Sequence, residues 1–184
     1  AALQQKELRG VLAYTSLSHM GLITFAVGVS FIGDPSARVG AIFYIFLHGI
    51  VTSAFFLVAG AMEPAGIREE KYGGIGASNP RLATLFLILV LAIVGLPGMG
   101  TFVGEFLIIG AGFRAAWWYG ALAVLPIVLG AVVWLRFYQR IFHGPASAGP
   151  ATAISRPVMV VVWIMALCVI YLGLVPQRIL ERLI

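Results

Sequence analysis

The stretch of sequence that decides the fold is Gly95-Leu96-Pro97-Gly98-Met99-Gly100-Thr101-Phe102-Val103-Gly104-Glu105-Phe106. It lies within an apolar segment, residues 82–113, whose 32 residues would extend about 48 Å as a straight helix, against about 30 Å for a bilayer's hydrocarbon core. Proline removes a backbone donor and glycine relaxes the backbone, so the segment must break. The sequence predicts a membrane helix interrupted at Leu96-Pro97-Gly98, with Pro97, Gly98 and Gly100 as its helix-break residues.

The composition of the chain indicates a membrane protein. Of its 184 residues, 61% are apolar and 10% are charged, and the mean hydropathy is +1.02. A soluble domain averages about 25% charged residues. The first long apolar run begins at Val11 and several others follow it, so a cleaved signal peptide or a single anchor is excluded.

Five apolar segments have the length that a bilayer requires, about 20 residues each. They cover residues 11–32, 39–62, 82–113, 117–137 and 157–175, separated by a turn at Gly33-Asp34-Pro35 and by polar loops at 63–81 and 144–150. Backbone groups in lipid must be satisfied within the segment, which makes each of them a helix. We therefore predict an all-α, polytopic transmembrane helix bundle that forms a single membrane domain over residues 1–184.

The basic residues predict the orientation. On one side of the five spans lie Lys6, Arg9, Arg68, Lys71, Arg81, Arg136, Arg140 and Arg156, and on the other Arg38, Arg114, Arg178 and Arg182. Eight cations against four place the N-terminus inside and the C-terminus outside. Because topology explains these cations, nucleic-acid binding is not expected. The chain starts with Ala1 and almost directly with a span, so we expect it to be part of a longer polypeptide.

Metal and redox chemistry is not expected on this chain. Cys168 is its lone cysteine, and no pair of cysteines or histidines has metal-site spacing.

Glu105 is the most informative polar residue, because about ten apolar residues flank it on each side. A carboxylate at that depth costs about 2.5 to 3.5 kcal/mol on insertion scales, so it should face a bundle interior or a hydrated cavity. We interpret Glu105 as a proton-carrying group. The alternative is a structural carboxyl that a neighbouring helix or the broken backbone satisfies.

Further polar side chains share helix faces. Tyr44, His48 and Thr52 are spaced four residues apart, which places them on one face of the second helix, and Thr15 and His19 have the same spacing in the first. Histidine exchanges a proton at ordinary pH and hydroxyls carry hydrogen bonds, so these five residues are candidates for a proton pathway with Glu105. Hydrogen bonding between helices is the alternative.

The predicted break also has two interpretations. Proline and glycine are tolerated in membrane helices as packing kinks. Discontinuous helices also occur where transporters bind ions near the midplane. A break followed closely by a buried acid favours the second interpretation.

Four blocks of sequence carry a resemblance to a known family. They are Glu7-Leu8-Arg9-Gly10-Val11-Leu12-Ala13-Tyr14-Thr15-Ser16-Leu17-Ser18-His19-Met20-Gly21, then His48-Gly49, then Tyr72-Gly73-Gly74, then the stretch from Gly95 to Phe106. In order and spacing they resemble the proton-translocating antiporter-like subunits of respiratory complex I. The resemblance covers the chain from about Glu7 to its end and implies the C-terminal portion of such a subunit.

The resemblance is greatest to the M-type branch, since the L-like and N-like subunits and the D-type cation/proton antiporter subunit typically carry lysine where this chain has Glu105. It implies that Glu105 ends the half-channel facing the periplasm, and that His19 and His48 belong to a central hydrated axis. It also implies that this chain has no cofactor of its own, while partner subunits hold NADH, FMN, iron-sulfur clusters and quinone. Its expected partners are L-like and N-like subunits and the lipid bilayer.

The same resemblance implies a location in the bacterial plasma membrane, with an organellar inner membrane as the alternative. Two departures stand out. Glu7, Arg9 and Gly10 replace a family Asp-x-Lys-Arg run, and the family's first half, with its central lysine, is absent.

Three other functions remain open from the sequence. A multisubunit cation/proton antiporter or a membrane-bound hydrogenase shares the fold, and Glu105 argues against the first. A purely structural membrane scaffold would use the polar residues only to lock its helices together.

Overall fold

The computed structural model describes residues 2–32, 34–67, 72–145 and 154–183. These residues form helices and connecting turns, without a strand among them. A short 3-10 turn, Ala2–Gln4, precedes α1 (Leu8–Phe31), α2 (Pro35–Met62), α3 (Ile75–Ser78), α4 (Pro80–Ile93), α5 (Gly100–Ala115), α6 (Trp117–Phe142), α7 (Arg156–Leu174) and α8 (Gln177–Leu180). The predicted all-helical fold class is confirmed.

Four of the described helices, α1, α2, α6 and α7, are long and apolar enough to cross a membrane. The remaining predicted span consists of two shorter helices, α4 and α5. The chain is thus a multi-pass membrane protein with one broken span.

Two helices extend four or more residues beyond their predicted ends. α2 begins at Pro35, four residues early, because the side chain of Asp34 caps it by accepting from Ser36 N. α6 continues past residue 137 to Phe142, because Ile141 and Phe142 are buried on the inner side of the bundle.

The predicted polar loops are only partly described. Residues 63–81 contain α3 and the first two residues of α4. Gly33 of the first predicted turn, Arg68 and Lys71 of the charge count, and most of the 144–150 loop lie outside the described residues.

Gly95 makes the turn that ends α4. Its φ is +67°, and the flanking backbone bonds run from Leu96 N to Leu91 O at 3.0 Å and from Gly95 N to Ala92 O at 3.3 Å. This pattern is a Schellman motif with glycine in its left-handed position. The break predicted at residues 96–98 is confirmed, and it is wider than predicted, because the chain leaves the helix before it reaches Pro97.

The start of α5 is held against neighbouring helices. The buried hydroxyl of Thr101 donates to the carbonyl of Ala92, a group near the end of α4. α7 passes so close that a Cβ on Gly173 would overlap the carbonyl oxygen of Gly98. A Cβ on Gly100 would come within 2.8 Å of Leu47 Cδ1, on α2. The broken segment is therefore fixed between α2 and α7.

α2 lies at the centre of the bundle and contacts α1, α4, α5 and α7. Toward its C-terminal end, a buried aromatic cluster joins it to α4 and α6. Phe55 stacks on Trp134 with ring centroids 4.4 Å apart, and Phe86 meets Phe55 edge-on at 5.1 Å. Because these contacts fix α2, its polar face is held in one orientation toward α1 and α5.

We predict that Gly173→Ala destabilises the full-length protein. The added methyl would overlap backbone atoms of the break, which cannot move aside as a flexible side chain could. Overpacking of this kind costs about 1–3 kcal/mol. Thermal unfolding in mild detergent should show a lower midpoint. Gly49→Ala is the matched control, since a Cβ there meets no described atom within 4 Å. Equal midpoints for the two variants would contradict the close contact between α7 and the break.

Candidate functional site

The centre of the candidate site is a hydrogen bond between two buried side chains. The hydroxyl of Tyr44 on α2 donates to Oε1 of Glu105 on α5 at 2.9 Å. Glu105 is 3% exposed and Tyr44 is 1% exposed. The acid inside the membrane segment thus has a specific partner, 61 residues away in sequence.

Small residues create the space for this pair. A Cβ on Gly104 would lie 2.8 Å from Cβ of Tyr44, so α2 and α5 can approach this closely only because position 104 lacks a side chain. A Cβ on Gly95 would overlap Oε2 of Glu105 and lie 2.7 Å from its Cδ. The carboxyl group therefore occupies the space beside the turn that ends α4.

The two histidines predicted for the pathway are in direct contact. Nδ1 of His19 on α1 lies 3.1 Å from Nδ1 of His48 on α2, and the ring planes are nearly perpendicular at 88°. Both residues are buried. A neutral imidazole carries one N–H, so a hydrogen bond between two Nδ1 atoms requires one ring to donate and the other to accept. The pair therefore shares a single proton at this contact.

Tyr44 lies between the histidine pair and Glu105. Its ring centroid is 5.7 Å from that of His19, edge to face, and 6.4 Å from that of His48. Beyond the pair, Oγ1 of Thr52 lies 3.3 Å from Nε2 of His48. Five of the predicted residues thus form one connected series of contacts across α5, α2 and α1, namely Glu105, Tyr44, His19, His48 and Thr52. Tyr44 bonds to Glu105, while its contacts with the histidines are ring contacts.

Thr15 is placed differently from the other predicted pathway residues. Its hydroxyl donates to the carbonyls of Val11 at 2.8 Å and Leu12 at 3.2 Å, one turn back in its own helix. Its proton is therefore used locally, as is common for threonine within helices. Among the described residues, its hydroxyl makes no hydrogen bond to His19.

The residues predicted for the break have different surroundings. Pro97 is exposed, Gly98 has a left-handed φ of +98°, and Gly100 is buried at the start of α5. Sequence reasoning missed the role of Gly95, although a glycine two residues before a proline is a recognisable helix-stop signal. It also missed Gly104, whose contact depends on which helix faces it.

Within the described ranges, no group of three His, Cys, Asp or Glu side chains lies close enough together to hold a metal ion.

Comparison with protein families gives a match over residues 1–130 to the family described as NADH:quinone oxidoreductase/Mrp antiporter, TM. The NADH-quinone oxidoreductase subunit M of Rickettsia typhi is 34% identical over 185 aligned positions, which cover 98% of this chain and 37% of that protein. Subunit 13 of the Thermus thermophilus enzyme is 39% identical over 150 positions, covering 80% of this chain and 31% of the relative. The chain therefore spans about a third of these relatives' length.

Solved structures show the same fold. A chain of respiratory complex I from Thermus thermophilus with bound NADH superposes with a TM-score of 0.84 at 30% identity, covering 99% of this chain and 39% of that one. A chain of the Mrp complex from a Dietzia species has a TM-score of 0.84 at 22% identity, covering 98% and 42% respectively, and this likeness concerns the fold alone. The family match over residues 1–130 shows that the chain belongs to the NADH:quinone oxidoreductase/Mrp antiporter transmembrane family.

Proposed function

We propose that this chain is the proton-translocating portion of an M-like membrane-arm subunit of respiratory complex I, which couples electron transfer from NADH to quinone with proton pumping. In this proposal the subunit catalyses no redox step itself. NADH, FMN, the iron-sulfur clusters and quinone are held by partner subunits. The chain supplies a route for protons.

The observation that carries this proposal is the buried Glu105, hydrogen-bonded to Tyr44 and followed by the His19–His48 pair. Ionisable side chains inside membrane segments are expensive and are usually functional. A scaffold needs only satisfied hydrogen bonds, whereas here groups able to exchange protons follow one another across three helices.

The two carboxyl oxygens of Glu105 have different surroundings. Oε1 accepts from Tyr44, and Oε2 lies beside Gly95 at the break. We infer that Oε2 receives or releases the proton on the side of the break, since Gly95 places no side chain over it. Tyr44 can act as a hydroxyl relay, giving its proton to Oε1 and taking one from the histidine side.

Transfer from the histidine pair to Tyr44 requires a water molecule or a small rotation, because the described contacts there are between rings. Within the pair, the shared proton at the Nδ1 atoms must move before the next one can follow. The Nε2 atom of His48, next to Thr52, is the outer end of this line.

Coupling to electron transfer requires two states in which Glu105 has different proton affinities. A charge that moves in a neighbouring subunit would supply this difference electrostatically, since charges interact strongly in a low-dielectric interior. L-like and N-like antiporter subunits are the partners we propose for the membrane arm.

We place the protein in the bacterial plasma membrane, with the N-terminus of this segment cytoplasmic and its C-terminus periplasmic. The excess of basic residues supports that orientation. An organellar inner membrane is the alternative location.

A multisubunit cation/proton antiporter is the second candidate function, favoured by the fold shared with the Mrp chain. A membrane-bound hydrogenase is a third candidate on fold grounds. Both keep the proton route and differ in the energy source. A native gel stained for NADH dehydrogenase activity, with mass spectrometry of its bands, separates them by the assembly in which the protein migrates.

We predict that Glu105→Gln in the assembled complex lowers proton pumping and coupled NADH oxidation together, because glutamine keeps the size of the side chain and cannot be protonated at neutral pH. Proton uptake into inverted vesicles and the rate of NADH oxidation are the measurements. Glu181→Gln is the control, since it removes a carboxylate from an exposed position near the C-terminus. The histidine variants should show milder losses, because water and hydroxyls bridge a gap.

Normal pumping by Glu105→Gln would remove Glu105 from the mechanism. If Glu105→Gln assembles poorly but each assembled complex pumps normally, the result would support a purely structural scaffold function.

We predict that Tyr44→Phe weakens both stability and pumping. The substitution removes the O–H that donates to Glu105 and leaves a buried carboxyl without its described donor, at a cost of about 1–3 kcal/mol. Tyr171→Phe, on the exposed face of α7, is the matched control. Thermal unfolding and vesicle pumping are measured for both, and for Tyr44→Phe combined with Glu105→Gln. Fully additive effects in the double variant would contradict the hydrogen bond.

A further inference from the structure

A second polar cluster joins α2 and α5 at the ends opposite the break. Arg114, in the last turn of α5, donates from Nε to Oδ2 of Asp34 at 2.6 Å and from Nη2 to Oγ of Ser36 at 2.5 Å. Asp34 in turn accepts on Oδ1 from Ser36 N at 3.0 Å and from Ser36 Oγ at 2.6 Å. The cap of α2 and the end of α5 thus form one closed set of hydrogen bonds, which we call the Arg114 clamp.

Small residues bring the two helices close together between the clamp and the candidate site, where Leu107 and Ile108 of α5 also pack against Gly40. Ala37 and Ala111 pack in one buried cluster. A Cβ on Gly40 would lie 3.1 Å from the carbonyl oxygen of Gly104. The two helices run antiparallel, so this interface leads from Arg114 along α5 to Glu105, nine residues and about 13 Å away.

Small side chains let helices approach closely, but they provide little of the ridge-and-groove interlocking that resists sliding along the axis. α5 is also separated from α4 by the break, so no continuous helix holds it in place. Besides the close packing of its start against α2 and α7, its axial position is held by polar contacts near its two ends. At the break these are made by Thr101, and at the other end by Arg114.

We propose that the Arg114 clamp is a positioning device that fixes the axial register of α5 against α2 and so places the carboxyl of Glu105 at the hydroxyl of Tyr44. A helix turn is about 5.4 Å long, while the Tyr44–Glu105 bond tolerates only a few tenths of an ångström. A rigid helix transmits a shift at Arg114 to Glu105. The consequence for proton transfer rests on the proposed function, whereas the register itself does not.

The charge state of the clamp is stable. Hydrogen bonding from Arg114, assisted by Ser36, lowers the pKa of Asp34 to about 2. A carboxylate whose pKa is lowered in the folded protein stabilises it above its unfolded value of about 3.9, and that stabilisation is lost as the pH falls through the folded value. Asp34 is therefore ionised at neutral pH, and substitution is needed to open the clamp.

Disulfide formation between α2 and α5 tests the register in the full-length protein in its native membrane. Ala37→Cys with Ala111→Cys joins residues that pack together, whereas Ala41→Cys with Ala111→Cys is one turn out of register, since Ala41 packs in the cluster of Ile108. Resting membranes are oxidised mildly without NADH, and each cross-link is quantified by mass spectrometry. The register is measured as the yield of the 37–111 cross-link divided by the yield of the 41–111 cross-link.

We expect Arg114→Gln and Asp34→Asn each to lower that ratio by about threefold, the order expected for loss of one partly exposed ion pair. Exchanging the charges, with Asp34→Arg and Arg114→Asp together, should recover part of it. Arg38→Gln is the matched control, because it removes an exposed cation from the same end of α2, and no ion pair to it is found among the described residues.

An unchanged ratio in Arg114→Gln would overturn the proposal, and so would equal yields of the two pairs in the wild-type background. Proton pumping is then measured in variants without the added cysteines. Arg114→Gln should pump less, and the charge exchange should recover pumping in parallel with the ratio. If Arg114→Gln lowers the cross-link ratio while Glu105→Gln pumps normally, the positioning role of the clamp is supported and the proposed function is contradicted.

Discussion

The constraint on which the rest of this structure depends is the burial of one carboxyl group inside a membrane bundle. Removing Glu105 from water costs several kcal/mol unless a partner compensates, and Tyr44 is that partner. The pair can meet only where the backbones of α2 and α5 almost touch, which requires glycine at position 104. The close packing of two helices therefore follows from the need to satisfy a single acid.

The break between α4 and α5 belongs to the same arrangement. A continuous helix over residues 82–113 would exceed the bilayer, and in the observed break a side chain at position 95 would occupy the space of the Glu105 carboxyl. Gly95 therefore has two roles, since its left-handed conformation ends α4 and its missing side chain makes room for the acid. The freed end of α4 is satisfied from within α5 by the hydroxyl of Thr101. Fold and site depend on the same few small residues.

Sequence reasoning located most of the buried polar residues and some of their neighbours. Glu105, His19 and His48 stand out by hydropathy alone, because charged and titratable groups are rare in apolar runs. Tyr44 and Thr52 follow from helical periodicity, although nothing in that periodicity pairs Tyr44 with Glu105. Helix ends were harder to place, since α6 continues beyond its predicted end through contacts with the rest of the bundle.

The sequence by itself determined that this protein is a membrane-embedded helix bundle, where its broken helix is interrupted and which acid lies within its apolar segments. Each of these follows from local properties of the sequence, such as hydropathy, segment length and backbone freedom. The tertiary structure alone decided that the acid meets Tyr44, that His19 meets His48, and that Asp34 meets Arg114. These partners are 61, 29 and 80 residues apart, so their contact depends on how whole helices pack and on where a glycine lets two backbones approach.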